Sequence, residues 1–410
     1  MAGKFDVYIF LNLFLIVTGH ELKQVCILSR HNIRTPLTDN LEHLSPNVWP
    51  TWSQEPGMLT AKGARLEEYM GVYIVKWLQK EKLFSESCPD KESILIYANT
   101  RQRTRQSAKA FVRGAFSSCN VNVHSINSEE MDPLFNPILR NTSDVLKNVI
   151  IAEMQQKLNE LQLKGSYEDL EGIIDLKNSQ ACKINNVCSF VDTKDVIYYE
   201  IGHEPNIIGP LAYGNSILDS FLMSYYEGMP LEKVAWGKID SSDKWKSLAE
   251  ITKANQNVRF NSTILAKELA KPLTDYMKAL FENRNAPKFT LLHGHDSNLN
   301  SVMAAIGFKH YVLPEQYETT PLGGKLIVFQ KWFDMTLNKY LLKINYIYQT
   351  NKQLRHGHVL SLKSPPNFAL LELKYCKTDN NGFCLWDDFI RFLNKIYDDN
   401  YESSITSLFF

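Results

Sequence analysis

Arg30, His31 and Arg34 crowd into the stretch QVCILSRHNIRTPLT, residues 24–38. Two guanidinium groups beside an imidazole suit one kind of chemistry, in which the cations neutralise and orient an anion such as a phosphate, and the imidazole offers a nucleophile or a proton carrier. Two other stretches repeat the theme. YANTRQRTRQSAKAF puts Arg101, Arg103 and Arg105 where a helix should begin, against the preference of a helix N-terminus for negative charge. An anion bound nearby would resolve that conflict. FTLLHGHDSNLN delivers His293, His295 and Asp296 at a turn. A solvated basic turn explains Arg101 and Arg105 equally well, and a histidine followed by aspartate means little alone; three such stretches in one chain mean more.

Each stretch follows an apolar run of strand length: Val25–Leu28, SILIYAN (93–99) and KFTLLHG (288–294). Between the first two, LEEYMGVYIVKWLQKEKLF sets Leu66, Met70, Tyr73, Ile74 and Trp77 at helical spacing, and after the second a helix should turn Ala108, Phe111, Val112 and Ala115 inward. Strand, helix, strand, helix predicts an α/β fold: a mixed, largely parallel central sheet with helices on both faces. In such sheets ligands collect where strands end and helices begin. From 141 to 285 the pattern is mainly helical, with core stripes at Ile151, Met154, Leu158, Leu161; at Leu218, Phe221, Leu222, Tyr225; and at Leu265, Leu269, Met277, Leu280, where Pro272 threatens a kink. KLIVFQKWF and YLLKINYIY predict a hairpin around 337–339. The expected organisation is an α/β core from 20–140 and 286–410, with an inserted helical domain at 141–285.

The 410 residues carry 45 basic and 45 acidic side chains, so no bulk field draws the chain to nucleic acid or to an anionic membrane, and any anion must be held by local arrangement. Lys4, the apolar run 7–17 and Thr18-Gly19 predict a secretory signal peptide over 1–19, and no second run has membrane length. Secretion agrees with the seven cysteines. Cys182 and Cys188 bracket one short loop and Cys376 and Cys384 another, which leaves Cys88, Cys119 and a strand-borne Cys26; six cysteines permit fifteen pairings, and spacing alone leaves the choice open. Asn141 and Asn261 head glycosylation sequons. His293 with His295, and His356 with His358, are H-x-H pairs that could ligate zinc from a strand. No third ligand motif accompanies them, so neither metal nor cofactor is expected, and His356 and His358 are placed in a polar surface loop.

RHNIRTP (30–36), QRT (102–104) and HD (295–296) together resemble the signature of the histidine acid phosphatases, which reads R-H-G-x-R-x-P, then an internal arginine before a helix, then H-D. The segments YMGVYIVKWL, MDPLFNP, YYEGMP, VAWG, GHDSN and GGK, in that order, are similar to those of the periplasmic members that hydrolyse sugar phosphates such as glucose 1-phosphate. The resemblance covers about 25 to 393 and implies disulfides Cys88–Cys119, Cys182–Cys188 and Cys376–Cys384. It implies a secreted enzyme, periplasmic if bacterial, that hydrolyses a small phosphate monoester. His31 would form a phosphohistidine; Arg30, Arg34, Arg103 and His295 would hold the phosphoryl oxygens; Asp296 would serve as general acid and then base, with an acidic optimum. Glu204, in GHEPN, would accept hydrogen bonds from sugar hydroxyls or repel inositol phosphates. Asn32 departs from the broader family's glycine, and its bulk beside the phosphate would narrow the substrate range. A phytase or broad acid phosphatase would use the same site, and a binding protein without turnover is the rival of a different class.

Overall fold

The computed structural model describes residues 19–38, 41–84, 88–322 and 325–396. In chain order its elements are β1 (His20–Arg30), α1 (Ala61–Lys80), β2 (Ile94–Ala98), α2 (Gln102–Ala115), β3 (Val123–His124), α3 (Asp144–Asn159), α4 (Lys164–Ile174), α5 (Gln180–Asn185), β4 (Val196–Tyr198), β5 (Asn206–Ile208), α6 (Pro210–Glu227) and α7 (Ser242–Phe260). There follow α8 (Thr263–Glu282), β6 (Phe289–Gly294), α9 (Asp296–Ile306), β7 (Lys325–Asp334), β8 (Lys339–Tyr348), α10 (Asn351–His356), β9 (Asn367–Leu371), β10 (Cys384–Leu385) and α11 (Trp386–Lys395).

One mixed sheet of eight strands runs β10-β8-β7-β1-β6-β2-β3, with β9 also paired to β8. Its β1-β6-β2-β3 half is parallel, and β7 to β10 pair antiparallel, starting from the expected β7–β8 hairpin. Val25 to Leu28 are buried on both faces because helices cover both. Val25 and Ile27 face the cluster built with Met70 and Ile74 of α1 and Phe111 of α2, whereas Cys26 and Leu28 face the side of α8, α9 and α11. A separate cluster joins α3, α4, α6 and α7.

Register makes the fold useful. Arg30 of β1 lies opposite Gly294 of β6, and Ala98 of β2 lies opposite His293, so three adjacent parallel strands end at one level. The next amides continue the ladder: His31 N–H donates to the Gly294 carbonyl at 3.2 Å, and Asn99 N–H to that of His293 at 3.0 Å. The three chemical stretches of the sequence leave the sheet side by side.

Some helical details differ from expectation. The buried stripe of α3 is Leu146, Val149, Ile150 and Met154, rotated from the expected one, and Leu161 lies beyond the helix end. Helix α8 continues through Pro272, because Leu265, Leu269, Leu273, Met277 and Phe281 bury one face along its whole length; Leu273 and Phe281, not Leu280, complete that face. His356 ends α10 rather than sitting in a loop, and is exposed, as is His358. Disulfides join Cys88 to Cys119, Cys182 to Cys188 and Cys376 to Cys384, while Cys26 is free and buried. The expected signal segment 1–18 and the end of the chain from 397 lie outside the described residues. Among those described, no helix is long and apolar enough to cross a membrane.

Candidate active site

A cavity of about 350 Å³ opens at the shared strand ends, and Arg30, His31, Arg34, Arg103, Glu204, His295 and Asp296 all line it. Arg101 and Arg105 do not. The first three leave β1 directly; Arg103 stands in the first turn of α2, and Asp296 opens α9. Both helix N-termini therefore flank the cavity and favour negative charge there.

His31 is 2% exposed. Its Nδ1 lies 2.8 Å from the Asn32 carbonyl oxygen, which can only accept, so Nδ1 carries the proton and Nε2 keeps its lone pair. Burial pushes the imidazole well below its usual value, and Arg103, Arg34 and Arg30 push in the same direction. A neutral, nucleophilic ring thus persists in acid. His295, 5.5 Å away between ring centres, is lowered by burial and by Arg103. It is held by Asn99, whose Oδ1 accepts from the amides of Thr100 (2.7 Å) and Asp132 (3.0 Å), so that Nδ2 must be the group donating to His295 Nε2 at 2.8 Å.

The arginines differ in their restraint. Arg30 reaches Asp296 (3.1 Å), Glu318 (3.2 Å) and the Thr320 carbonyl; these carboxylates outweigh its burial and raise its pKa. Arg34 makes a bidentate pair with Asp219 of α6, both contacts 2.8 Å. Arg103 has no ion pair among the described residues, and burial and Arg34 lower it to about 10, so it stays charged below neutral pH. It is the cation most available to an incoming anion.

For Asp296, burial pushes the carboxyl up, but Arg30, Arg34, His295 and the Ser297 amide prevail and hold it at about 2. Gln256 of α7 donates to the same Oδ2 as Arg30, at 3.1 Å. In this state Asp296 is a carboxylate throughout the mildly acidic range, so acid alone does not supply the proton expected of it.

Glu204, between β4 and β5, reaches the cavity but accepts from Arg259 Nη2 at 3.2 Å, and burial raises its pKa. Asn32 does not act as expected: it does not line the cavity, and its side chain turns to Glu67 of α1 at 2.8 Å. His293 is fully buried in β6 behind the cavity, with neither ring nitrogen partnered among the described residues. Among those residues no group of three or more His, Cys, Asp or Glu could hold a metal ion.

The model of the histidine phosphatase superfamily (branch 2) matches residues 21–167. Glucose-1-phosphatase of Providencia rettgeri is 42% identical to this chain over 382 residues, covering 91% of each protein. The chain belongs to the histidine phosphatase superfamily. Glucose-1-phosphatase of Salmonella typhimurium is 43% identical over 92% of each chain, and phytase AppA of Escherichia coli is 27% identical over 92% of each. The solved phytase of Citrobacter braakii superposes with a TM-score of 0.84 at 26% identity, over 92% of this chain and 98% of that one.

Sequence reasoning missed Asp219, Gln256, Arg259 and Glu318, which also line the cavity. Thr252, Asn255, Gln256 and Arg259 do recur at helical spacing along α7. Such a polar stripe reads as a solvent face, and nothing local says that it faces a site.

Proposed function

We propose that this chain is a secreted phosphatase that hydrolyses sugar phosphates bearing one phosphate, such as glucose 1-phosphate, through a phosphohistidine on His31. Arg30, Arg34, Arg103 and His295 hold the phosphoryl oxygens, and His31 Nε2 attacks phosphorus as the ester P–O bond breaks. Asp296 protonates the departing oxygen. It then takes a proton from the water that attacks the phosphoenzyme, and the P–N bond breaks to release phosphate and neutral His31.

The first proton arrives with the substrate. A phosphate monoester loses its second proton at about pH 6; below that, the monoanion carries a proton that Asp296 can accept once the phosphoryl charge offsets the arginines. Activity therefore falls as pH rises through that value, in accord with an acidic optimum.

The observation that carries the substrate class is charge balance. Arg30, Arg34, Arg103 and Arg259 face Glu204, Asp219, Asp296 and Glu318, and no lysine among the described residues lines the cavity. With both histidines neutral, four cations meet four carboxylates, enough for one phosphate and poorly suited to a ligand with several. The names of the two relatives above 40% identity support the same reading. We read 20–140 with 286–410 as the catalytic core and 141–285 as an insert that supplies Glu204, Asp219, Gln256 and Arg259 for recognition of the sugar.

A phosphate-release panel at pH 4–6 over glucose 1-phosphate, inositol hexakisphosphate and an aryl phosphate tests this. Preference for the inositol ester would replace it with the phytase reading. Absence of a labelled phosphoenzyme after alkaline quench, together with no turnover, would leave a binding protein.

A further inference from the structure

Asn32 makes four hydrogen bonds that tie the nucleophile to two helices. Its carbonyl accepts from His31 Nδ1 (2.8 Å), its N–H donates to Ser107 Oγ of α2 (3.1 Å), its Oδ1 accepts from Ile33 N–H (2.9 Å), and its Nδ2 donates to Glu67 Oε2 of α1 (2.8 Å). Asn32 and Glu67 are both 0% exposed. A buried carboxylate needs hydrogen-bond donors and a buried amide needs an acceptor, so the Asn32 Nδ2–Glu67 Oε2 bond is costly to break and fixes how the Asn32 side chain is turned.

The surrounding sequence is shaped for this contact. Gly63 lies one turn before Glu67 on α1, and a Cβ there would come within 2.3 Å of the Ile33 carbonyl oxygen, so only glycine lets the helix approach the loop. Thr60 N–H, at the start of α1, donates to that same carbonyl at 3.0 Å. On α2, Ser107 stands one turn after Arg103, so the helix that delivers a cation to the cavity also grips the Asn32 amide.

We propose that Asn32 and Glu67 form a positioning pair for the nucleophile: Glu67 locks the Asn32 side chain, and the immobilised Asn32 carbonyl keeps the His31 proton on Nδ1, leaving the Nε2 lone pair for phosphorus. This rests on the phosphohistidine reading. It replaces the idea that Asn32 restricts the substrate by bulk.

The test uses ¹⁵N-histidine-labelled enzyme without substrate, with His31→Ala to assign the resonance. The wild type should show His31 with Nδ1 protonated and Nε2 bare. Asn32→Asp sets two carboxyls against each other; it should mix the tautomers and lower kcat about tenfold with KM within about twofold. Adding Glu67→Gln rebuilds a donor–acceptor pair of reversed polarity and should recover both the spectrum and most of the lost kcat. A wild-type tautomer in Asn32→Asp would overturn the pairing, as would a double variant that regains thermal stability without regaining kcat. If Asn32→Asp does not fold, Asn32→Ala, which keeps the backbone groups and removes only the side-chain link to Glu67, should show the same mixing, and an unchanged spectrum there counts against the proposal. A wild type that forms no phosphoenzyme sinks the functional reading instead, while the substrate-free spectrum still judges the pair.

Discussion

The floor and the wall of the cavity come from different parts of the chain and differ in what they can change. The floor, with Arg30, His31, Arg34, His295 and Asp296, hangs from the ends of β1 and β6, whose register places Arg30 opposite Gly294. The wall, with Asp219 on α6 and with Gln256 and Arg259 on α7, belongs to helices whose hydrophobic cluster is distinct from the two that flank the sheet. A shift in the floor would require the central sheet to move, whereas a wall residue can be replaced on one turn of a helix. Chemistry shared by all substrates belongs on the first surface and discrimination between substrates on the second.

The sharpest break is expected at His31, the proposed nucleophile. His31→Ala should lower phosphate release at least about a thousandfold for every monoester, with no labelled phosphoenzyme. Comparable losses for only some substrates would mean that the floor is not common to them. Asp296→Asn should lower kcat about a hundredfold or more for sugar esters, and less for an aryl ester whose leaving group needs no proton; equal losses would deny Asp296 the role of acid.

Arg103→Gln should lower kcat about a hundredfold and also move the acid limb of the kcat/KM profile upward. The sign follows from His31, whose pKa is held down by burial first and Arg103 next, so removing that cation lets the ring protonate at higher pH. A wall variant should behave differently. Glu204→Gln removes one negative charge from the lining and should raise inositol hexakisphosphate relative to glucose 1-phosphate severalfold, more at low salt than at high. An unchanged ratio would remove Glu204 from discrimination.

The smallest effect concerns stability. Burial holds His293 at about 3 against an ordinary 6.5, so between those values the unfolded chain binds a proton that the folded chain refuses, and stability falls as pH falls through that window. His293→Leu should flatten the melting temperature against pH there, with little change above pH 7. Asp296 behaves differently: its pKa is depressed, so its contribution is intact above 3.8 and lost only as pH falls through about 2.

Much of the floor was legible because motif and strand end coincide. An apolar run that stops at Arg30, His31 and Arg34, or at His295 and Asp296, states both the element and the point where it opens to a ligand. The wall was not legible, since Gln256 and Arg259 have the spacing of any solvated helix face. Asn32 was misread for a related reason: its neighbours in sequence, Arg30, His31 and Arg34, line the cavity, but its side chain partner is Glu67, on a helix that begins at Ala61.

By itself the sequence determined the strand-and-helix order, the reactive residue types and the cysteines able to close small loops, because hydrophobic period and side-chain chemistry are local properties. Only the tertiary structure decided that Arg103 has no ion pair among the described residues while Arg34 is clamped by Asp219, that His31 is protonated on Nδ1, and that cations and carboxylates balance around the cavity. Ion pairing, desolvation and tautomer choice depend on groups brought within a few ångströms from distant positions in the chain, and no local pattern encodes that proximity.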